Sequence, residues 1–526
     1  MGSTIFMPRL VPDALDRDAL DNPERLFCIH AVSINEMGCG WRRVTIGDLA
    51  KAVDRFAWWL EETVCSSGTP ERLVYIGPND IRYAIAVIAC MKLGHCILLL
   101  DPSTAQPVID YLLASGHCSR LLFARELADK VHLIKSSNQT LDIWEVMDLW
   151  TMFTGPNRPV HCPHEYTIAR EQQPAVVLYS SGTTGVPKEI ALPHGYFSAL
   201  DYFQHIPLPQ GRKSTAPWLS HPHHPHLIKT NMFHATGIVT WAAAIFHRTH
   251  FVLGPDAPLT PGSLKAIVSE TGAKSGLFLP DTLTCLSASE EGLAALASLE
   301  CVSFVGMPLP PSAGDKIARA TRLQSSIGLT EAGYFCSLQP KDPMHWEYFE
   351  WNCHHPMEMR DHPSGCSELV ITRPPDYYTH TFCTGDLFVQ HPDHKELWKH
   401  VGRKDDVSKL PNRVFLHPGP IERALEGHEL VSKAMVATNH ALRVMLIIDP
   451  DRRIARRSMP PEEVVDRLWP LVEQVNCRLP VEAQITRNRI LVAPINKPFK
   501  TTAKGTIQRR HILEDFKLEI ESCSAL

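Results

Sequence analysis

The chain has 526 residues, more than one hydrophobic core supports, so two or more domains are expected. Hydrophobic residues make up 44% and charged residues 21%, an ordinary globular composition, and the net charge of −5 comes with no long basic run, so nucleic acid is not an expected partner. The 15 cysteines form no Cys-x-x-Cys pair, which argues against a zinc ribbon or a thioredoxin site and for free thiols in a reducing compartment, the cytosol. The opening MGSTIFMPRL lacks the apolar core of a signal peptide, and Ile97–Leu100 is too short to span a bilayer, so no membrane span is expected.

In chain order, Val44–Leu60 alternates at helical spacing and predicts a helix with Trp58-Trp59-Leu60 on its buried side. Leu73–Ile76 predicts a strand, Ile81–Leu93 a helix, and Cys96–Leu100 a strand ending at Asp101-Pro102. Phe251–Leu253, Gly276–Leu279 and Val302–Val305 read as later strands of the same kind. Strands alternating with helices imply a mainly parallel sheet with crossovers. Charge rises over Val401–Leu410, where a boundary to a second, small α/β unit is expected. In that unit Ala434–Thr438, Val444–Ile448 and Asn488–Val492 read as strands, and Glu462–Cys477 as an amphipathic helix opened by Pro460-Pro461.

The most informative stretch is Leu178–Ile190, LYSSGTTGVPKEI, leaving the apolar run Ala175–Tyr179. Ser180, Ser181, Thr183 and Thr184 bring hydroxyls, Gly182 and Gly185 free the backbone to turn its N–H groups inward, and Lys188 adds a positive charge. Oriented amides and hydroxyls can replace the hydration shell of a polyphosphate. The Gly-Lys-Ser/Thr ending of a Walker A loop is missing. Taken alone, the stretch also fits a flexible surface turn.

The loop resembles the phosphate loop of the adenylate-forming superfamily, which holds acyl-CoA synthetases, luciferases and peptide-synthetase adenylation domains. Four more segments match in order: Gly328-Leu329-Thr330-Glu331, Thr384-Gly385-Asp386-Leu387, Gly402-Arg403-Lys404-Asp405-Asp406, and the lysine motif from Thr502 to Arg509. The resemblance implies an α/β fold: a large N-terminal domain of packed mixed β-sheets with helices, residues 1–402, and a small mobile α+β C-terminal lid, residues 403–526. It implies ATP and Mg2+ as cofactors. Ser180, Ser181, Gly182, Thr183, Thr184, Gly185 and Lys188 would hold phosphates, and Thr330 would bond a phosphate oxygen. Glu331 would bind Mg2+, a hard cation that favours carboxylate oxygens. Ile327 and Gly328 would meet adenine, Asp386 and Arg403 the ribose, and Asp405 would be the hinge. Read singly, Gly-Leu-Thr-Glu also fits a helix N-cap, Asp386 a turn aspartate, and Asp405 a solvated charge.

Two departures from the family pattern stand out. The order Lys504-Gly505-Thr506 reverses the commoner glycine-lysine order and looks like that of fungal synthetase-like proteins and carboxylate reductases. Lys504 is the expected catalytic lysine, with Lys500 as competitor. Ile327 stands where many relatives carry a tyrosine, which removes a stacking increment of roughly 1 kcal/mol.

Met232–Gly237 matches the segment that opens the acyl pocket. His234 replaces the aspartate that pairs with an α-ammonium in amino-acid-activating relatives, and a buried ammonium without a counter-charge is costly. The expected substrate is therefore an aryl, keto, fatty or betaine acid. Phe233, His234, Gly237, Val239, Phe304, Gly306 and Met307 are the pocket candidates, each of which also fits ordinary core packing, and Trp241, Phe233 and Phe304 could offer aromatic faces to a quaternary ammonium. The His221–His226 run, HPHHPH, reads as a loop rather than a metal site. The expected reaction forms acyl-AMP from a carboxylic acid and ATP, and then passes the acyl group to a phosphopantetheine carrier domain. Alternatives are a free-standing acyl- or aryl-CoA ligase that uses coenzyme A and a non-catalytic ligand sensor.

Overall fold

The structure, a computed structural model, describes residues 8–33, 35–36, 38–65, 70–161, 168–180, 187–372, 381–439, 441–452, 459–502 and 505–522. Two large sheets dominate the N-terminal part. In one, Asp142–Glu145, Arg120–Phe123, Arg72–Ile76, Cys96–Leu99 and Pro174–Ser180 lie side by side and parallel, and Lys188–Pro193 closes the edge antiparallel. In the other, Arg322–Ser325, Cys301–Phe304, Ser275–Phe278, His226–Ile228, Phe251–Leu253 and Leu26–Ala31 run parallel, and Trp41–Thr45 adds an antiparallel edge. Parallel strands need crossovers, and helices such as Arg82–Leu93 supply them. That helix is apolar on nearly every face, and ten of its residues from Arg82 to Met91 are buried along with Lys92. Such all-round burial fits a helix packed between layers rather than on a surface.

The predicted strands fall within a residue or two of expectation, except that the one ending at Thr438 begins at Val431, three residues before Ala434. Trp41–Thr45 takes Val44 into a strand, and Thr45 then caps the helix Ile46–Trp59 through a capping box with Asp48. Trp58 and Trp59 are only half-buried, a correction to the expected buried side, and the Trp58 indole N–H donates to the Pro159 carbonyl at 2.9 Å. The expected mainly parallel pairing is found in the two large sheets, and a third makes the whole mixed. Ser337–Leu338, Tyr348–Trp351, Leu397–Arg403, Phe382–Gln390, Ser367–Ile371 and Met357–Asp361 form a third, wholly antiparallel sheet.

The smaller C-terminal part is built on the strands Val431–Thr438, Val444–Pro450 and Ile490–Val492. Asn488 lies in a short 3-10 turn before the last of these, not in the strand. Alternate residues face opposite layers, as strand geometry requires. Leu446 and Ile448 pack with Ile421, Leu425, Val464 and Leu468, while Met445 and Ile447 pack with Phe499, Ile512 and Phe516. The helix Pro461–Asn476 matches its predicted span closely. Among the described residues, no helix is long and apolar enough to cross a membrane.

Candidate functional site

The carboxyl ends of the parallel strands of both large sheets converge, the usual place for ligands in α/β proteins. Asn79, beyond Arg72–Ile76, accepts the Met232 N–H at 2.7 Å and donates to Asp256 at 3.2 Å. Asp101, beyond Cys96–Leu99, reaches His234. Pro174–Ser180 ends at the phosphate-loop residues Ser181, Gly182, Thr183, Thr184 and Gly185, which lie outside the described residues. Ser180 and Lys188 are register partners across the antiparallel pair, so the two arms of that loop are held together at its root. Lys188 is exposed.

Gly328-Leu329-Thr330-Glu331 is not a helix start. Gly328–Leu329 pairs antiparallel with Gly333–Tyr334, and Thr330 and Glu331 occupy the turn, both half-buried. A β-carbon on Gly328 would lie 2.6 Å from the Gly333 carbonyl oxygen, which is why glycine stands there. Ile327 and Leu329 pack, half-buried, against Phe335, Phe349, Leu369 and Phe388, and the Ile327 carbonyl accepts the Phe335 N–H at 3.0 Å. The hairpin therefore rests on the antiparallel sheet.

That sheet carries Asp386 in mid-strand, 5% exposed, rather than in a turn. Its N–H donates to Thr384 Oγ1 at 3.0 Å, and Thr384 donates to the Leu369 carbonyl at 2.8 Å. Asp386 and Arg403 are register partners, with Arg403 Nη1 3.6 Å and His400 Nε2 3.2 Å from the same carboxylate oxygen. Gly385 has φ +74°, and a β-carbon there would stand 3.1 Å from Arg403 Nη2. A side chain at 385 would crowd the exposed Arg403 guanidinium beside the buried carboxylate. His400 was not foreseen, and no local signal in the sequence marks it.

Past Arg403 the chain turns through Lys404–Asp406, with Asp405 exposed. Gly402 has φ +146°, which favours glycine. On one side of this turn Lys404 reaches Glu368 at 3.2 Å, and on the other Asp406 meets Arg509 Nε at 3.3 Å. Arg509 also bonds Glu422, so the turn is tied to the last residue of the lysine motif.

Lys504 lies outside the described residues. Its neighbour Gly505, at φ +80°, points an imagined β-carbon to within 3.5 Å of Asp281 Oδ2 and Met307 Cε. The lysine-motif hairpin, closed by the Thr501–Ile507 bridge, thus lies against the large domain beside a predicted pocket residue. Lys500 instead meets Asp515 at 3.0 Å.

The predicted acyl-pocket residues divide. His234 precedes the helix Ala235–Phe246, is 22% exposed, and sits edge-on to Phe233, whose ring also packs on Tyr83. Met307 is half-buried, and Gly306, at φ +95°, is exposed with only Leu279 near. Val239 is 8% exposed. Gly237 has a packing reason, since a β-carbon there would strike Met232 Cα at 2.4 Å. Phe304 packs on Trp346 within the core of the second sheet, and Trp241 is fully buried and stacked on Phe197, so neither ring offers a free face. In the histidine run, His226 Nδ1 bonds the Ser275 hydroxyl at 2.6 Å, and burial pushes its imidazole down to about 3. Among the described residues, no group of three His, Cys, Asp or Glu side chains is arranged for a metal.

The model of the AMP-binding enzyme family matches residues 15–352, and that of the AMP-binding enzyme C-terminal domain matches residues 405–525. A carboxylic acid reductase of Neurospora crassa is 26% identical over 98% of this chain and 50% of its own length. The chain spans half or less of the length of the curated relatives it matches. Among solved structures, the anthranilate CoA ligase AuaEII in complex with anthranoyl-AMP covers all of both chains at a TM-score of 0.73 and 16% identity. ATP-bound MatB from Rhodopseudomonas palustris covers 98% of this chain and all of its own at 0.72 and 16%. With both family models matched in order around a converged set of strand ends, the chain belongs to the AMP-binding enzyme family of adenylate-forming enzymes.

Proposed function

We propose that this enzyme joins a carboxylic acid without a free α-amino group to the α-phosphate of ATP, releasing pyrophosphate, and then passes the acyl group to a thiol. The observation that carries the reading is that the Thr330–Glu331 turn follows the carboxyl end of Arg322–Ser325 and that the lysine-motif hairpin rests on Asp281 and Met307, which follow the ends of Ser275–Phe278 and Cys301–Phe304. The ATP and anthranoyl-AMP of the structural neighbours support it.

Both reactants are anions, so the site must screen their repulsion and hold charge on the transferring phosphorus. Ser180 and Lys188 with the loop between them would bind the β- and γ-phosphates. Thr330 would donate to a phosphate oxygen. Glu331 would hold Mg2+, which when bound neutralises phosphate charge. The Asp386 carboxylate would accept from the ribose hydroxyls, with Arg403 beside them, and Ile327 and Gly328 would pack on adenine. Lys504 would stand between the carboxylate and the α-phosphate. Phe233, His234, Val239, Gly306 and Met307 would shape the acyl pocket, while Gly237 and Phe304 would act by packing behind it. Residues 403–526 would move as a lid about Asp405. The half of the Neurospora crassa relative that this chain does not cover leaves room for a phosphopantetheine carrier domain as thiol donor. Coenzyme A is the second reading, supported by the full-length likeness to a CoA ligase.

A competition for pyrophosphate exchange between α-amino acids and matched keto, aryl, fatty and betaine acids tests the substrate class. Amine-free acids are expected to win, and clear preference for a primary α-amino acid would sink the reading. Glu331→Gln is expected to raise the Mg2+ concentration needed for half-maximal turnover by roughly 10–100-fold, since one anionic oxygen leaves the metal's shell. An unchanged Mg2+ titration would remove Glu331 from the metal.

A further inference from the structure

Asp101 is a buried acid beside a predicted acyl-pocket residue, 6% exposed, just beyond the carboxyl end of Cys96–Leu99. Its Oδ1 accepts from both the N–H and the hydroxyl of Ser103, each at 2.7 Å. Its own N–H donates to the Tyr179 hydroxyl at 3.1 Å, which shares a 2.5 Å hydrogen bond with Thr104. The carboxylate is therefore fixed by its own loop and by the strand that leads to the phosphate loop. Its Oδ2 lies 3.9 Å from His234 Nε2, within ion-pair range although longer than a hydrogen bond. Lys130 also acts on it through space, but that ammonium is held by the Pro102 and Thr104 carbonyls at 2.5 and 2.7 Å.

A buried carboxylate is costly unless hydrogen bonds or an opposite charge compensate it. We propose that Asp101 is the counter-charge of His234, a positioning residue that holds the imidazole as a cation, and that this pair is what shuts a primary ammonium out of the pocket. Paired, the two groups offer an incoming ammonium no net negative charge, and the imidazolium repels it. Without the imidazole, Asp101 Oδ2 loses the His234 counter-charge and is left suited to an ammonium. The inference rests on the reading of His234 as an acyl-pocket residue and deepens it. The favoured acid carries a neutral or hydrogen-bond-accepting group, such as a keto oxygen, where an amino acid carries its amine.

The test compares wild type, His234→Ala and His234→Ala/Asp101→Asn with two matched pairs, phenylalanine against 3-phenylpropionate and leucine against 4-methylpentanoate. Binding is read by titration calorimetry without ATP, and activation by pyrophosphate exchange. His234→Ala is expected to shift the ratio toward the amine-bearing acid by about tenfold or more, and the second substitution to abolish that shift. A merely structural Asp101 would change both members of a pair alike and leave the ratio untouched. No shift in His234→Ala, or a shift that persists in the double variant, overturns the pairing. Asp101→Ser keeps a hydroxyl for Ser103 and replaces the asparagine if that variant does not fold. Exchange absent with every acid in the wild type would overturn the adenylation reading, whereas the calorimetric ratio still decides the pairing.

Discussion

Replacing Lys504 by alanine is expected to slow acyl-AMP formation by ~10²–10³ while ATP binding stays nearly intact, the usual loss when one charge-stabilising group leaves a preorganised site. Two observations favour this lysine over its neighbour. Lys500 already has a carboxylate partner in Asp515, and it lies at the base of the hairpin, where its carbonyl accepts the Gln508 N–H at 2.9 Å. Gly505, next to Lys504, is at the tip and rests against Asp281 and Met307. The measurement is ATP–pyrophosphate exchange for Lys504→Ala and Lys500→Ala, with nucleotide affinity read separately. Full activity in the first and none in the second would reverse the assignment.

The second large effect concerns stability. Lys92 is fully buried, and its ammonium meets both oxygens of Asp16 and one of Asp54, each at 2.7 Å. Asp54 also accepts the His161 backbone N–H at 3.1 Å, so this cluster ties the helix Val11–Asp21, the helix Ile46–Trp59 and the chain near residue 161 to the helix Arg82–Leu93. Lys92→Met would leave two carboxylates facing each other, Asp54 buried and Asp16 largely so. Breaking a buried pair in this way costs about 3–5 kcal/mol. Urea denaturation should show that loss, and adding Asp16→Asn and Asp54→Asn should restore part of it. A loss below about 1 kcal/mol in the single variant would mean that water or another cation reaches the carboxylates.

The parallel sheets were legible because continuous apolar runs such as Phe251–Leu253 and Leu73–Ile76 carry their own signal. The antiparallel sheet was not. Its edge strands are weak signals, since Ser337–Leu338 has two residues and Met357–Asp361 reads MEMRD, and short apolar runs such as Leu369-Val370-Ile371 lie only in its middle strands. For the same reason Asp386 reads as a turn aspartate in isolation, although pairing with Leu397–Arg403 puts it mid-strand. Burial of Phe304 and Trp241 depends on partners far away in sequence, Trp346 and Phe197, which composition cannot supply. Asp101 was visible only as the Asp-Pro that stops a strand. What makes it a candidate for selectivity is a contact 133 positions along the chain, with His234.

The strand pair that carries Asp386 holds one residue too many. Asp386 faces Arg403 and Leu387 faces Gly402, but Phe388 faces His400, so Val401 is an extra residue, a β-bulge. In an unbroken strand, residues 400 and 403 would point to opposite sides of the sheet, because side chains alternate. The bulge cancels that alternation and lets His400 and Arg403 approach the same carboxylate oxygen from one side. The electrostatics of this carboxylate are therefore governed by strand length as much as by residue identity. A one-residue deletion at Val401 would place His400 and Arg403 two positions apart in a regular strand, still on one side, whereas straightening the strand with Val401 retained would send them to opposite faces.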